Sequence, residues 1–225
     1  RKFGYIKSFG AFEANLLTLP YNEIFNSTNL KPTGFILDEG TENADKYDAT
    51  SDLNAGYAML DTRLSKKIRL SLGARVEDSY QLVNTADFTG KKVKVEKQYL
   101  DILPSLNATY SLSDQTNIRF SASQTVTRPE LRELSNFGFF DYISKRILQG
   151  NPDLKRSQNT NIDVKYEIFP GAGQVLSISG YYKYFKNPIE QVVSSGSVKN
   201  ITFQNANSAT TYGMELEARK NLGFM

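Results

Sequence analysis

Near the middle of the chain, the stretch SQTVTRPELREL (123–134) runs an alternating pattern into a proline and then crowds Arg128, Glu130, Arg132 and Glu133 into six residues. Two arginines and two glutamates at that spacing suit either an ion-pair cluster that fixes the base of a loop or the lining of a ligand access path. Just downstream, FGFFDY (137–142) puts Phe139 and Phe140 where they would pack on a rim or stack against a ligand. The amides of FQNANSA (203–209) could bond sugars or loop backbone, with backbone the expected partner. Glu215 and Glu217 form a carboxylate pair, but i and i+2 on any strand lie about 7 Å apart, so the spacing is no sign of glycosidase chemistry. The acidic run EGTENADKYD (39–48) lacks the order of an EF-hand calcium loop and reads as solvated. There is no histidine and no cysteine, which excludes imidazole and thiolate metal sites and the His- or Cys-based catalytic constellations. These residues point to binding, without an enzyme activity or a cofactor.

The elements that must position them are strands. In KIRLSLGARVE, Ile68, Leu70, Leu72, Ala74 and Val76 alternate with Arg69, Ser71, Gly73, Arg75 and Glu77. The same alternation runs through 100–110, 117–126, 161–168, 175–185 and 212–219, and a mixed but strand-like pattern covers 53–64. Alternation alone fits a half-exposed soluble sheet equally well. The connections discriminate better. Ser65-Lys66, Ser113-Asp114-Gln115 and Pro170-Gly171-Ala172-Gly173 are tight turns, whereas about 78–98, 128–157 and 186–209 are long. Short turns on one side and long loops on the other are the rhythm of an outer-membrane barrel. Mean hydropathy is negative, yet a membrane strand needs only about 10 alternating residues, so that average does not argue against a membrane barrel. The 13 Tyr and 14 Phe suit a β-core or an interfacial girdle, and Tyr181, Tyr182, Tyr184 and Phe185 stand at the outer end of their strand. Lys and Arg total 27 against 24 Asp and Glu, a balance that gives no reason to expect nucleic acid. Pro129 ends the fourth strand, and GNPDL (150–154) and KNPIE (186–190) are turn signals at strand boundaries.

TRPELREL, LQGNPDLKRSQNTNIDVKYEIFP, YYKYFKNPIEQV and FQNANSATTYGMELEARKNL, preceded by DILPSLNATYSLSDQTNIRFSASQT, together resemble the barrel of TonB-dependent outer-membrane receptors of the Bacteroidetes type. The resemblance covers roughly residue 45 onward; residues 1–44 are read as an earlier strand and part of an extracellular loop. It implies an all-β, antiparallel up-and-down meander, a partial transmembrane β-barrel of about seven or eight strands out of 22. It also implies a plug domain inside the barrel, a TonB box that engages the TonB–ExbB–ExbD system, and a site in the outer membrane of a Gram-negative bacterium. The ligand it implies is a siderophore, vitamin, glycan or peptide, captured by loops and lumen and imported into the periplasm. With Arg at position 1, no leader, and no terminal aromatic strand before Met225, residues 1–225 are expected to be one partial barrel domain cut from a longer receptor. Such an arc exposes two strand edges and its lipid-facing rows, and should self-associate when isolated.

A second reading is a soluble or surface-exposed β-sandwich adhesion or carbohydrate-binding module, in which the apolar rows face another sheet. A lipase- or protease-type barrel is a third, disfavoured because the chain has no histidine.

Overall fold

A computed structural model describes residues 3–7, 12–39, 46–86, 89–136, 138–141, 146–193 and 200–221. Seven long strands form one antiparallel sheet: β3 (Tyr47–Arg63), β4 (Ile68–Ala86), β5 (Lys92–Ser113), β6 (Thr116–Thr127), β9 (Ser157–Ile168), β10 (Val175–Lys186) and β13 (Ser208–Arg219). They pair strictly in chain order, β3-β4-β5-β6-β9-β10-β13, so the sheet is an up-and-down meander. The short strands β7 (Gly138–Asp141), β8 (Arg146–Gln149), β11 (Ile189–Val193) and β12 (Ile201–Asn205) form a separate four-stranded sheet built from the long connections. Near the N-terminus, β1 (Phe3–Lys7) pairs with β2 (Phe35–Glu39), and between them lie a 3₁₀ turn (Ala14–Thr18) and helix α1 (Tyr21–Ile24). A second short helix, α2 (Leu131–Leu134), follows β6.

Register carries the alternation of single strands across the whole sheet. Leu60, Leu72, Leu106, Ala122, Ile162, Tyr182 and Tyr212 are successive cross-strand partners, and so are Thr62, Leu70, Ala108, Phe120, Val164, Gly180 and Met214. Because side chains alternate with period two, these rows make one continuous apolar face. Leu60, Ile102, Val164, Tyr212, Met214 and Leu216 are all exposed on it. Among the described residues no second sheet covers this face, so the sandwich reading is overturned: its apolar rows have no facing layer. An exposed apolar surface this extensive belongs against lipid.

The odd-numbered face is polar over the same height and carries Asp61, Arg69, Arg119, Asp163, Lys165, Glu167, Glu215 and Glu217. The aromatic row divides by this parity. Tyr182 and Tyr184 join the apolar face, while Tyr181 and Phe185 face the polar side. The Tyr181 ring there lies over Gly213, where it fills the space a side chain would take.

Two expectations change. The connection read as a long loop at 78–98 is largely ladder: β4 and β5 stay paired from Ile68↔Tyr110 to Ala86↔Lys92. The pairing continues because the odd-numbered face turns apolar there. Val83 and Val95 pack with Leu134, Leu154 and Phe203 into the buried core, with Val93, Leu131, Leu148 and Ile189 around it. The extended hairpin is therefore a wall against which the other long connections fold. The earlier strand expected before residue 44 is β1, which pairs with β2 and adds nothing to the seven-stranded sheet.

Candidate functional site

The crowded stretch after β6 sits where loop meets wall. Pro129 is buried and follows the last ladder residue, Thr127. With no N–H to donate, it contributes its carbonyl, which accepts from Gln81 Nε2 at 3.0 Å. Arg128, just before it, reaches three partners on the wall. Its guanidinium lies 2.8 Å from Glu77 Oε2 and 2.7 Å from Asp101 Oδ2, and its Nε donates to Ser79 Oγ at 2.9 Å. Glu77 is further paired to Arg75 at 2.7 Å.

Asp101 has a second cation. Arg156 Nε lies 2.6 Å from Asp101 Oδ1, an ion pair whose N–H is not aligned as a hydrogen bond, and its guanidinium stacks 4.1 Å from the centre of the Tyr99 ring. The Asp101 side chain is 1% exposed, against 18% for Arg128 and 22% for Arg156. Arg128 opens the connection between β6 and β9, and Arg156 closes it. One buried carboxylate thus holds both ends of the loop. A charge so far out of water is tolerable only with such pairing.

Arg132 and Glu133 belong to α2, and Glu130 is its N-cap. Glu133 accepts the Glu130 N–H at 3.0 Å, in a capping-box arrangement. Burial pushes the Glu133 carboxyl above its usual value and the Glu130 charge adds to this, while the Glu130 N–H opposes them. Arg132 is exposed. Phe139 and Phe140 lie in β7, their backbones paired with Leu148 and Ile147. Phe137, Tyr142 and residues 40–45 of the acidic run lie outside the described residues.

The turn signals dock this lid. A side chain at Gly150 would overlap the Ser135 carbonyl and come within 2.7 Å and 2.8 Å of those of Arg132 and Glu133, so only glycine fits against α2. Asn151 donates from its backbone to Glu133 O at 2.6 Å and from Nδ2 to Phe203 O at 2.8 Å. Leu154 is fully buried. Asn205 of FQNANSA binds backbone: Oδ1 accepts from Lys155 N at 2.8 Å, and Nδ2 donates to Lys155 O at 2.9 Å and Asn187 O at 2.8 Å. Asn187 of KNPIE, at φ 55°, makes the left-handed turn after β10.

Below the lid the polar face is a charge-compensated surface. Arg119 meets Glu167 at 2.5 Å; Lys165 lies 3.3 Å from Glu167 and 3.6 Å from Glu217. The last contact passes over β10, where Ser177 and Ser179 are small enough to let Lys165 reach across. Asp163, Tyr181, Lys183 and Glu215 border a depression of about 420 Å³ there. A larger depression, about 710 Å³, lies beside Leu60, Leu72 and Leu106 on the apolar face and is no polar ligand pocket. Among the described residues no cluster of acidic groups gathers as a metal site. The arrangement offers hydrogen bonds and paired charges, which suits recognition.

Sequence reasoning placed Arg128 at a loop base, and the ion-pair alternative describes its geometry. Asp101 and Arg156 carry no local sequence signal of this role. Their partners are remote in sequence, 27 residues apart for Arg128 and Asp101, and no local pattern marks such a contact.

Among solved structures, the arc resembles a Serratia marcescens hemophore receptor, HasR, crystallised as a double mutant with its hemophore HasA and heme. The TM-score is 0.63 at 13% identity, over 82% of this chain and 34% of that one. The ferric-catecholate import receptor Fiu from K12 E. coli gives 0.55 at 14% identity, over 85% and 28%. The siderophore receptor PirA from Pseudomonas aeruginosa gives 0.51 at 16% identity, over 76% and 40%. The chain thus spans well under half the length of each. No curated protein matches it. The family model described as the outer membrane protein beta-barrel family matches residues 14–223. The chain belongs to that family, and its place is the outer membrane.

Proposed function

We propose that residues 1–225 form part of the barrel wall of a TonB-dependent receptor of the Bacteroidetes type, which binds a ligand at the cell surface and imports it into the periplasm. The observation that carries this reading is the division of labour across one sheet. An unbroken apolar face meets lipid, a charge-compensated polar face meets the lumen, and connections from one end fold over that lumen as a lid. The likeness in fold to siderophore and hemophore receptors supports it. In this reading the polar face packs on a plug domain, and the TonB–ExbB–ExbD system supplies energy through parts outside this chain. Arg128 and Glu133 hold the lid in place; ligand contact falls to Glu130, exposed Arg132 and the β7 segment with Phe139 and Phe140. The ligand class is a siderophore, vitamin, glycan or peptide, and the chemistry is binding and transport without catalysis.

The test is accumulation of labelled ferric siderophore, haem, cobalamin, oligosaccharide and peptide in cells with and without the gene. One class should be lost on deletion, and its uptake should collapse when the proton-motive force is dissipated. Uptake that survives dissipation would refute an energised receptor.

A further inference from the structure

We propose that the outer rim of the apolar face carries a binding site for the phosphate-bearing headgroup of an outer-leaflet lipid, centred on Lys186. It rests on the outer-membrane location and is independent of the transport reading. Two cross-strand rows lie just above the apolar rows. Gln124, Thr160 and Tyr184 are successive partners in one, and Val126, Gln158 and Lys186 in the other. They border a depression of about 150 Å³, room for about five waters, well below the 300–1,000 Å³ or so of drug-sized ligand pockets. That size suits a headgroup fragment better than a transported ligand.

The chemistry of the depression is one-sided. Lys186 is exposed and makes no ion pair among the described residues, and no carboxylate shares the two rows. The amides of Gln124 and Gln158 and the hydroxyls of Thr160 and Tyr184 add donors that no acceptor among the described residues takes up. A cation ringed by hydrogen-bond donors is complementary to a phosphate monoester or diester. Height selects the source. From Leu176, near the tight turn, to Lys186 the strand rises about 33 Å, which at a tilt of about 40° is about 25 Å along the membrane normal, the height of a barrel's apolar band. Lys186 therefore stands where hydrocarbon gives way to headgroups. Ile102 and Val126 supply an apolar margin continuous with the face below, where the acyl chains of the same lipid would lie.

The test is native mass spectrometry of the full-length protein in detergent, titrated with lipid A and with a phosphate-free glycolipid of the same acyl chains. Wild type should retain lipid A about tenfold more tightly than the phosphate-free lipid, and Lys186→Glu with Gln158→Ala should abolish that preference. Lys183→Glu, on the same strand but the opposite face, should leave it intact and shows that a charge change on β10 does not act through folding. Equal retention of the two lipids, equal loss in the Lys183 variant, or displacement of lipid A by millimolar inorganic phosphate would each overturn the proposal.

Discussion

Replacing Asp101 by Ala should unlatch the lid while leaving the barrel wall intact. In the wild type, Asp101 accepts Arg128 at 2.7 Å and faces Arg156 at 2.6 Å from a side chain that is 1% exposed. Losing it leaves Arg156, among the described residues, with the Tyr99 ring, whereas Arg128 keeps Glu77 and Ser79. Deleting one member of a buried ion pair costs about 3–5 kcal/mol. The two arginines retain some access to water, so the lower end, about 3 kcal/mol, is the appropriate figure. That is about a 150-fold shift in the closed–open equilibrium of residues 128–156. Hydrogen exchange reads this at the loop base, where the Asn151 N–H is bonded to Glu133 O and that of Leu154 to Asn151 O, beside the Leu154 side chain that docking buries on Val83 and Val95. Protection at those two amides should fall about 150-fold in Asp101→Ala, and by less in Asp101→Asn, which keeps the shape and one acceptor. Amides in the β9–β10 ladder should not change. A fall of less than about fivefold at Asn151 and Leu154 would refute the idea that one carboxylate holds both ends of the loop.

Gly150→Ala forces a methyl group into three backbone carbonyls of α2 and Ser135, so lid protection should drop by the equivalent of about 3 kcal/mol or more, again by hydrogen exchange; wild-type protection would contradict the packing. Val164→Arg on the apolar face should cost about 2–4 kcal/mol in urea titration of the full-length protein in vesicles, and Ser121→Arg, placed opposite Asp163 on the polar face, close to nothing; equal costs would contradict the assignment of faces. Glu133, raised by burial, binds its proton more tightly with the lid docked than with it open, so this group's contribution makes the lid more stable as pH falls through its raised value, complete below the ordinary 4.5. The difference between wild type and Glu133→Gln in lid protection should therefore shift in favour of wild type on acidification from pH 7; the opposite trend would show that the carboxylate is stabilised in place.

The seven-stranded meander was legible because its signals are local and repeated. Alternation sets which residues share a face, and Ser65-Lys66 or Pro170–Gly173 sets where the chain reverses. The 78–98 segment misled because Asp78 and Asn84, with Lys94, Glu96 and Gln98 on the paired strand, break the even-numbered apolar row of a membrane strand. What keeps the ladder going there is the lid's core on Val83 and Val95, a tertiary cause invisible along the chain. The candidate site divides the same way. TRPELREL marked a strand end and a charge cluster by composition alone. The partner that gives Arg128 its role is Asp101, which reads in sequence as one more polar residue on an alternating strand. The polar Asn205 and the turn GNPDL were read as structural, and their hydrogen bonds tie loops to one another.

That one sheet has a lipid face and a lumen face is directly measurable, because residues 1–225 hold no cysteine to compete with an introduced label. Single cysteines placed in turn at 176–186 along β10, spin-labelled in the full-length protein in vesicles, report collision with oxygen, which concentrates in the hydrocarbon. Oxygen accessibility should alternate, with maxima at 178, 180 and 182 and minima at 177, 179 and 181. A flat profile, or maxima at the odd positions, would contradict the membrane arc.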